Sequence, residues 1–417
     1  MFDAQLKNTL TLILAGGQGE RLYPLTRDRA KPAVPFGGMY RIIDFTLSNC
    51  LNSEIRKVYV LTQYKSFSLD RHIILGWSSL FNSPETGRYI HILPPQQRTG
   101  QTWYQGTADA IYQNIYTLER ERPDYVLILA GDHIYKMNYA EMLRYHVQRK
   151  ADVTVSCVAV DKSEASQLGV AVVDSENRIH EFQEKPKENP LTLPNDPDSC
   201  FASMGIYVFT TEALVRRVSG DARKDSAHDL GRNIIPEMVR ENARVYAYPF
   251  KDENRKEVAY WRDVGTIDGY YEANMDLTEV TPLFNLYDES WPVRTYHEQF
   301  PPAKFVFSEP LGDDQPVRRG QALDSIVSPG AIISGGTVEH SVLSPQVRIN
   351  SYCYVKDCIL MEGVSIGRRA QVQKAIIDKG VRIPEGAMIG YDAEADRARF
   401  TVTGDGVVVV PKGMPFA

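Results

Sequence analysis

Residues 12–36, LILAGGQGERLYPLTRDRAKPAVPF, place three glycines and four basic side chains directly behind an apolar run. An apolar run that ends in glycines predicts a buried strand leaving a parallel sheet, the place where open α/β proteins bind ligands. The four basic residues are offset by only two acidic ones, so the stretch carries a local net charge of +2. Backbone N–H groups and cations together suit a polyphosphate. The stretch therefore favours phosphate binding over the alternative of a plain structural turn.

Two familiar phosphate-binding motifs do not fit this stretch. A Walker loop needs Gly-Lys-Ser/Thr after its second conserved glycine, and the dinucleotide fingerprint needs a third glycine where this chain has Leu22. The glycine turn and the basic residues after it therefore belong to neither of these two motifs.

The following 250 residues show an α/β rhythm. Apolar, β-prone runs alternate with stretches of helical spacing, and VLILA is apolar throughout, as expected for a strand buried on both faces of a mainly parallel sheet. The resulting fold class is α/β, with a Rossmann-like, mostly parallel mixed sheet. Later runs, among them FASMGIYVFT and RVYAYPF, follow each other with fewer helices and predict a mixed edge or a flanking subdomain.

The pattern of the sequence changes after about residue 282. A proline-rich stretch without clear periodicity predicts a linker over 283–320 between a first domain, 1–282, and a second domain, 321–417. In the second domain a turn residue precedes an aliphatic one every five or six positions, as in GAI, GTV and GVR. This period is typical of a β-solenoid, which we favour over an ordinary β-sandwich.

Composition limits the partners. The 417 residues carry 47 basic and 53 acidic side chains, a net charge of −6, which disfavours nucleic acid but leaves room for anionic small molecules in a locally basic cleft. Five scattered cysteines fit reduced thiols better than a disulfide framework. The N-terminus does not read as a signal peptide, and the apolar runs are too short for a membrane span. We expect a cytoplasmic protein that binds no membrane.

Several long motifs resemble one enzyme family nearly end to end. The opening stretch resembles the signature of sugar-nucleotide pyrophosphorylases, and RIIDFTLSNCLNS, QTWYQGTADAI, AGDHIY, EFQEKP, PNDPDSCFASMGIYVF and YWRDVGT match bacterial glucose-1-phosphate adenylyltransferases. The resemblance implies conversion of ATP and α-D-glucose 1-phosphate to ADP-glucose and pyrophosphate, the committed step of bacterial glycogen synthesis. It also implies Mg²⁺, a C-terminal left-handed β-helix, a homotetramer and regulation by anionic small-molecule effectors.

The resemblance implies three catalytic residues, Arg21, Lys31 and Asp132, and a metal site formed by Asp132 and Asp263. Magnesium is usually held by one or two carboxylates with phosphate oxygens and water. Taken alone, each aspartate could instead cap a helix, for example the one predicted at TIDGYYEANMDL. His133 resembles a catalytic base, but an ionised phosphate monoester needs none, so we assign it a structural or supporting role.

The substrate-binding residues are likewise implied by the family motifs. The nucleotide set is Ala15, Gly16, Gly17, Gly19, Gly106, Thr107 and Asp109, with Ala108 beside the base. The glucose 1-phosphate set is Tyr104, Gly169, Glu184, Lys185 and Ser203. Simpler readings remain open: Thr107 as an N-cap, Glu184-Lys185 as a solvated turn, and Trp103 and Gln63, which resemble positions linked to activation, as packing residues.

Regulation is where the chain departs from the family pattern. Arg29, Arg41 and Arg399 match effector-binding positions, but Asp28 stands where relatives that respond to fructose 1,6-bisphosphate tend to have lysine, and Pro35 stands where they tend to have histidine. An acidic residue would repel a phosphorylated activator. We therefore expect weak or absent activation by fructose 1,6-bisphosphate.

Two other functions were weighed against an active adenylyltransferase. A non-catalytic regulatory subunit is disfavoured because the implied catalytic and metal residues and Lys185 are all present. A bifunctional enzyme whose β-helix transfers acyl groups is disfavoured because that domain is short and His340 is its only histidine. The choice of base depends wholly on the resemblance.

Overall fold

The opening apolar run forms strand β1, Thr9–Ala15, at the centre of a nine-stranded sheet. The structure is a computed structural model that describes residues 2–95, 103–193, 196–307 and 318–416. The helices are α1 Phe2–Lys7, α2 Ile42–Asn52, α3 Phe67–Gly76, α4 Ser78–Phe81, α5 Thr107–Gln113, α6 Ile115–Glu121, α7 Tyr139–Arg149, α8 Thr211–Asp221, α9 Ile235–Arg240, α10 Ile267–Met275 and α11 Ala393–Arg399.

The remaining strands of the first domain range from 2 to 12 residues in length. They are β2 Pro35–Phe36, β3 Tyr40–Arg41, β4 Lys57–Thr62, β5 Tyr89–Leu93, β6 Tyr125–Ala130, β7 Ile134–Tyr135, β8 Val153–Asp161, β9 Gly169–Val173, β10 Ile179–Glu184, β11 Ser199–Thr210, β12 Val245–Pro249 and β13 Trp261–Arg262. Short 3₁₀ segments lie at Glu20–Leu22, Lys31–Ala33, Pro84–Thr86, Lys162–Gln167 and Asp276–Thr278, and a π-helical turn lies at Leu230–Ile234.

The main sheet has the order β10-β9-β11-β6-β1-β4-β5, with β8 pairing β11 and β12. Strands β6, β1, β4 and β5 are parallel, whereas β11 is antiparallel to both β6 and β8. The predicted mixed, mostly parallel sheet is thus present. The later runs FASMGIYVFT and RVYAYPF form β11 and β12 of this same sheet, because β11 pairs with β6, β8 and β9, and β12 pairs with β8. The prediction of a mixed edge is therefore confirmed, and the alternative of a separate flanking subdomain is wrong.

Alternate side chains of β1 pack into two apolar cores, one on each face of the sheet. Ile13 and Ala15 belong to one buried cluster, while Leu10 and Leu12 belong to the other. Helices cover both faces, which explains why the run is apolar without alternation. The carboxyl ends of β1 and β6 are therefore held rigidly side by side.

The second domain is a coil of stacked parallel strands. They are β14 Lys304–Val306, β15 Gln321–Leu323, β16 Ile326–Val327, β17 Ile332–Ser334, β18 Thr337–Glu339, β19 Val342–Leu343, β20 Arg348–Ile349, β21 Tyr354–Leu360, β22 Ser365–Ile366, β23 Gln371–Ile377, β24 Arg382–Ile383, β25 Met388–Ile389, β26 Thr401–Val402 and β27 Val408–Val410. Only β26 and β27 pair antiparallel among the described strands of this domain.

One column of aliphatic side chains shows how the coils stack. Ile333, Ile349, Ile366 and Ile383 follow one another on successive coils, and all four are buried. The paired positions are 16 or 17 residues apart, as in Ile332 with Arg348 and Arg348 with Ser365. The expected inward-facing aliphatic residues are thus present, and the sandwich alternative is wrong.

The segment predicted as a linker is docked on the first domain. Trp291 donates from Nε1 to Asn49 at 2.8 Å, and Thr295 donates to Asp44 at 2.6 Å, both on α2. Strand β14, also within 283–320, already pairs with β17 of the coil. Residues 308–317 of the predicted linker lie outside the described part of the chain.

The two domains share an apolar cluster. Tyr270, Tyr271 and Ala273 of α10 belong to the same buried cluster as Ile376 and Val409 of the coil. The hydroxyl of Tyr271 also donates to the carbonyl oxygen of Asp357 at 2.8 Å. Helix α10 therefore fixes the coil against the domain that carries the glycine turn.

Candidate active site

Two aspartates meet beyond the carboxyl end of the parallel strands. Asp132 follows β6, and Asp263 follows β13, 131 positions later in the chain. The two-stranded pairing of β13 with β7, which places Arg262 opposite Ile134, brings them together. Neither aspartate caps a helix: the N-cap of α10 is Thr266, whose side chain accepts from Gly269 N. The capping alternative for Asp263 is therefore wrong.

The ammonium group of Lys31 lies between these carboxylates. Its Nζ is 3.0 Å from Asp132 Oδ2 and donates to Asp263 Oδ1 at 2.6 Å. Lys31 itself is only 6% exposed, whereas a third of the Asp132 side chain and a quarter of the Asp263 side chain face solvent. The carboxylates therefore present open oxygens while the cation holds them from behind.

Electrostatics keep all three groups charged. Burial disfavours the charged form of each, but the two carboxylates outweigh it and raise the pKa of Lys31 above its ordinary value. For Asp132, burial is likewise overcome by Lys31, which holds the carboxyl pKa well below its usual range. The pKa of Asp263 is lowered against burial by His133 and Lys31. At neutral pH the site therefore contains two carboxylates beside an ammonium ion.

Arg21 extends this cluster toward solvent. Its Nη2 lies 3.6 Å from Asp263 Oδ2, and its Nη1 donates to Gln167 Oε1 at 2.8 Å. More than half of its side chain is exposed. The guanidinium is thus oriented from two sides yet still open to a ligand.

Two pockets meet at Asp132. One, of about 580 Å³, is lined by the glycine turn and by Arg21, Lys31 and Asp263. The other, of about 490 Å³, lies between the glycine turn, the segment around Gly106 and the segment around Asp229. The predicted residues Ala15 and Gly19 line the first pocket, Gly16, Gly106, Thr107, Tyr104 and Glu184 line the second, and Gly17 lines both.

Glu184 forms the wall of the second pocket opposite the glycine turn. Burial and then the nearby Asp229 raise the pKa of its carboxyl above the ordinary value, against the effect of Lys185. A Cβ on Gly169 would lie 2.5 Å from Phe182 Cζ and 2.7 Å from Glu184 Oε2, so a larger residue there would force these side chains to move. Lys185 Nζ is 3.7 Å from Glu184 Oε1 and is largely exposed. The solvated-turn reading therefore fits Lys185 better than it fits Glu184.

Ser203 lies at a bulge in β11. The register of β11 with β8 shifts between Ser203 and Tyr207, and Gly205 in between has a φ of +68°. The Ser203 hydroxyl accepts from Gly205 N at 3.3 Å, and the side chain is nearly buried. The bulge places Gly205, rather than a side chain, at the wall of the second pocket.

The segment at the start of α5 is held by hydrogen bonds to the loop before α9. Gly106, not Thr107, is the N-cap of α5, so the N-cap reading of Thr107 is wrong. The Thr107 hydroxyl instead donates to Asp229 Oδ2 at 3.0 Å and accepts from Leu230 N at 2.8 Å. Asp109 accepts from Gln105 N and Gln113 Nε2, which stabilises the helix start.

His133 lies beside the carboxylates. Its Nε2 is 3.5 Å from Asp132 Oδ1 and 3.9 Å from Asp263 Oδ1, and its ring packs edge-on against Trp261 at 5.2 Å between centroids. In the described part of the chain, these three residues are the one group of three potential ligands close enough to hold a metal. Imidazole is not a preferred magnesium ligand, so within this group only the two aspartates have the oxygen donors that Mg²⁺ favours.

The predicted effector arginines have different surroundings. Arg29 is buried and donates to both carboxylate oxygens of Asp378, at 2.7 and 2.9 Å. Arg41 donates to Ser68 and lines a pocket of about 60 Å³ between the domains, together with Pro35, Glu362 and Lys379. Arg399 lies on α11 with its guanidinium over Phe400 and Phe416.

Trp103 and Gln63, which resemble positions linked to activation in the family, lie beside the second pocket. The Trp103 ring stacks on Tyr64 at 5.1 Å between centroids and is half exposed. Gln63 lines the pocket and donates to the carbonyl oxygen of Tyr104 at 3.4 Å. Neither side chain is part of the packed core.

Comparison with known proteins agrees with this geometry. Residues 10–280 match the Nucleotidyl transferase family, and residues 301–410 match the family described as GlmU-like, C-terminal hexapeptide. The chain is 58% identical over 413 residues to a glucose-1-phosphate adenylyltransferase of Rhodopirellula baltica, covering 99% of this chain and 91% of the relative. The chain belongs to the glucose-1-phosphate adenylyltransferase family.

Further family members give the same result. Glucose-1-phosphate adenylyltransferases of Koribacter versatilis and Hydrogenovibrio crunogenus are 55% and 52% identical and cover 97% and 98% of this chain, or 95% and 94% of their own lengths. The family resemblance predicted from the motifs is confirmed, as is the nucleotidyltransferase domain followed by a left-handed β-helix of the hexapeptide type. No described helix has the length and apolar character needed to cross a membrane.

Two residues of the site were not predicted from the sequence. Gln167, which orients Arg21, and Asp229, which contacts Thr107 and lies near Glu184, were not singled out. The polar run SAHDLG, which follows α8 and precedes α9, was the available signal for Asp229. Nothing local marks Gln167, since its partner lies 146 positions away.

Proposed function

We propose that this chain catalyses the reaction of ATP with α-D-glucose 1-phosphate to give ADP-glucose and pyrophosphate, in glycogen synthesis. One observation carries the proposal: Asp132 and Asp263, held by Lys31, lie where a glycine-lined polyphosphate pocket meets the pocket that contains Glu184. In this reaction a phosphate oxygen of glucose 1-phosphate attacks the α-phosphorus of ATP and forms a new P–O bond. The bond from the α-phosphorus to the oxygen that bridges to the β-phosphorus breaks, and pyrophosphate leaves with that oxygen.

The protein contributes mainly positioning and charge. The second pKa of a phosphate monoester is about 6, so the nucleophile is already mostly ionised at neutral pH and needs no general base. This agrees with His133, which packs on Trp261 and faces carboxylates rather than standing alone in a pocket. Rate enhancement then comes from holding the two substrates in line in a fixed electrostatic site.

The residues present fit magnesium. Lys31 and Arg21 balance Asp132 and Asp263, so the cluster by itself has no surplus positive charge for a triphosphate. The two carboxylates expose oxygen atoms of the kind Mg²⁺ prefers, and they would hold the ion. When bound, Mg²⁺ supplies charge neutralisation for the polyphosphate.

Named side chains take the remaining roles. Arg21, oriented by Gln167, presents planar donors to the departing pyrophosphate, and Lys31 adds a second positive charge in the same pocket. Glu184 accepts hydrogen bonds from sugar hydroxyls in its pocket, and the exposed ammonium of Lys185 meets the sugar phosphate. Gly16, Gly17 and Gly106 let backbone approach the nucleotide closely.

Regulation and assembly form a further part of the proposal. Anionic effectors bind in the small pocket lined by Arg41 and Lys379. Burial and the positive charges of Arg41 and Arg29 lower the pKa of Lys379, although Glu362 opposes the shift. Several positive charges therefore lie close together at this pocket. The chain acts in the cytoplasm as a homotetramer, with the β-helix serving assembly and regulation. Transfer of acyl groups by the β-helix is not supported, because His340 is bound between Asp357, at 2.7 Å, and Glu279, at 3.5 Å.

A substrate panel tests the proposed function. Pyrophosphate release is measured with ATP, UTP, dTTP and GTP, each combined with glucose 1-phosphate, mannose 1-phosphate and N-acetylglucosamine 1-phosphate. We expect ATP with glucose 1-phosphate to have the highest kcat/KM and chelation of divalent ions to abolish turnover. Faster reaction with UTP would overturn the substrate assignment, and full turnover under exhaustive chelation would overturn the metal assignment.

A further inference from the structure

We propose that His228, held by Asp221, is a positioning residue that fixes the nucleotide side and the sugar side of the site relative to each other. The inference rests on the proposed function and concerns the turn formed by residues 226–231, here called the bridging turn. Neither residue belongs to the predicted substrate-binding sets.

The side chain of His228 is anchored to a buried carboxylate. Asp221, the last residue of α8, is only 2% exposed, and its Oδ2 lies 2.7 Å from His228 Nδ1. Its other oxygen accepts from the hydroxyl of Ser226 at 2.9 Å, and that hydroxyl accepts from His228 N at 3.0 Å. Both ends of His228 are thus fixed to the end of α8.

The backbone of His228 supports the nucleotide side. Its carbonyl oxygen accepts from Ala108 N at 2.8 Å and from Asp109 N at 3.2 Å, at the start of α5. A Cβ on Gly106 would lie 2.3 Å from the same oxygen, so α5 approaches the bridging turn as closely as a backbone can. Movement of His228 would therefore shift Gly106 and Thr107, which line the second pocket.

The residues after His228 reach the sugar side. Asp229 accepts from Thr107, and Leu230 N donates to the same hydroxyl. A Cβ on Gly231 would lie 2.5 Å from Glu184 Oε2, so the bridging turn packs directly on the carboxylate assigned to the sugar hydroxyls. One short segment therefore touches both parts of the pocket.

The backbone conformation explains why an anchor is needed. His228 has a φ of +52°, in the left-handed region that residues with a Cβ adopt at a cost. The bonds from Asp221 and Ser226 hold the residue there. Without them the turn would relax toward more favourable dihedral angles and carry Asp229 and Gly231 with it.

Kinetics of three variants test the inference. His228→Ala removes the anchor, Asp221→Asn keeps the shape but weakens the bond, and His228→Asn keeps a polar side chain that tolerates left-handed φ. We expect KM for both ATP and glucose 1-phosphate to rise in His228→Ala, with kcat/KM lower by about 10- to 100-fold, since small misplacements in a site have effects of that size. Asp221→Asn should show a smaller rise, and His228→Asn should recover part of the loss.

A matched control is the exposed pair of His180 with Asp174, which are 3.3 Å apart and line neither of the two pockets. His180→Ala should leave both KM values unchanged. The inference would be overturned if His228→Ala left both KM values unchanged. This holds whether kcat alone falls or only the thermal midpoint is lower. If His228→Ala does not fold, the same criteria apply to His228→Asn and Asp221→Asn.

The proposed function is assessed separately on the wild-type enzyme. Absence of ADP-glucose formation by the wild-type chain would refute that function. Wild-type activity with unaltered variants would refute only the role of His228.

Discussion

Lys31 and Arg29 lie two positions apart on one loop, and both form close ion pairs with aspartate, but in different surroundings. Lys31 holds Asp132 and Asp263, whose carboxylates are a third and a quarter exposed toward the pockets. Arg29 is bound to Asp378 of the β-helix, and that carboxylate is only 2% exposed. The first pair keeps its oxygens open to a ligand, whereas the second is closed and joins the two domains. Accessibility, rather than charge, separates the ion pairs that a ligand can reach from the one that it cannot.

The largest expected effect comes from the accessible cluster of Lys31, Asp132 and Asp263. Asp132→Asn removes one carboxylate charge with little change of shape, and we expect turnover to fall by at least about 100-fold because Asp263 alone would hold Mg²⁺ less firmly against the polyphosphate. The thermal midpoint should stay close to that of the wild type. Asp405→Asn, at an exposed position of the second domain, is the matched control. Full activity of Asp132→Asn would overturn the metal assignment.

Breaking the buried ion pair of Arg29 with Asp378, here called the closed pair, should lower stability and leave turnover unchanged. Arg29→Met leaves Asp378 buried without its cation, so the free energy of unfolding should fall by about 3–5 kcal/mol. Denaturant unfolding measures it, while kcat at low temperature should remain near the wild-type value. Replacing both partners, Arg29→Met with Asp378→Leu, should restore part of the loss.

Arg27→Met is the control for the closed pair, since Arg27 binds Asp28 at the surface, with side chains 40% and 44% exposed. We expect a change within about 1 kcal/mol there. Equal losses of stability in Arg27→Met and Arg29→Met would show that burial does not distinguish the two pairs.

The smallest expected effect concerns the exposed residue of the same loop. Asp28 carries a negative charge close to Arg29, and its bond to Arg27 lowers the pKa of its carboxyl, so it stays ionised at neutral pH. Fructose 1,6-bisphosphate at fixed ATP should therefore raise the rate weakly or not at all. Asp28→Lys should increase the response, whereas Asp405→Lys should not. A large activation of the wild type would contradict the prediction.

Much of the site was predictable because its motifs are local. The glycine turn follows β1, Asp132 follows β6, and each sits at a strand end that the apolar pattern already marks. The aliphatic repeat likewise predicted the coil, since each turn buries one side chain in a column. What periodicity could not supply is the direction of β11, whose pairing with both β6 and β8 depends on the whole sheet.

The sequence alone therefore determined the family, the two-domain architecture and the residue types of the candidate site. Only the tertiary structure decided that Lys31 lies between Asp132 and Asp263, that Arg21 is oriented by Gln167, and that Arg29 is bound to the β-helix. The partners of Arg29 and Arg21 are 349 and 146 positions away. Contacts over such separations arise from strand order and domain docking, and short-range patterns of residues do not encode them.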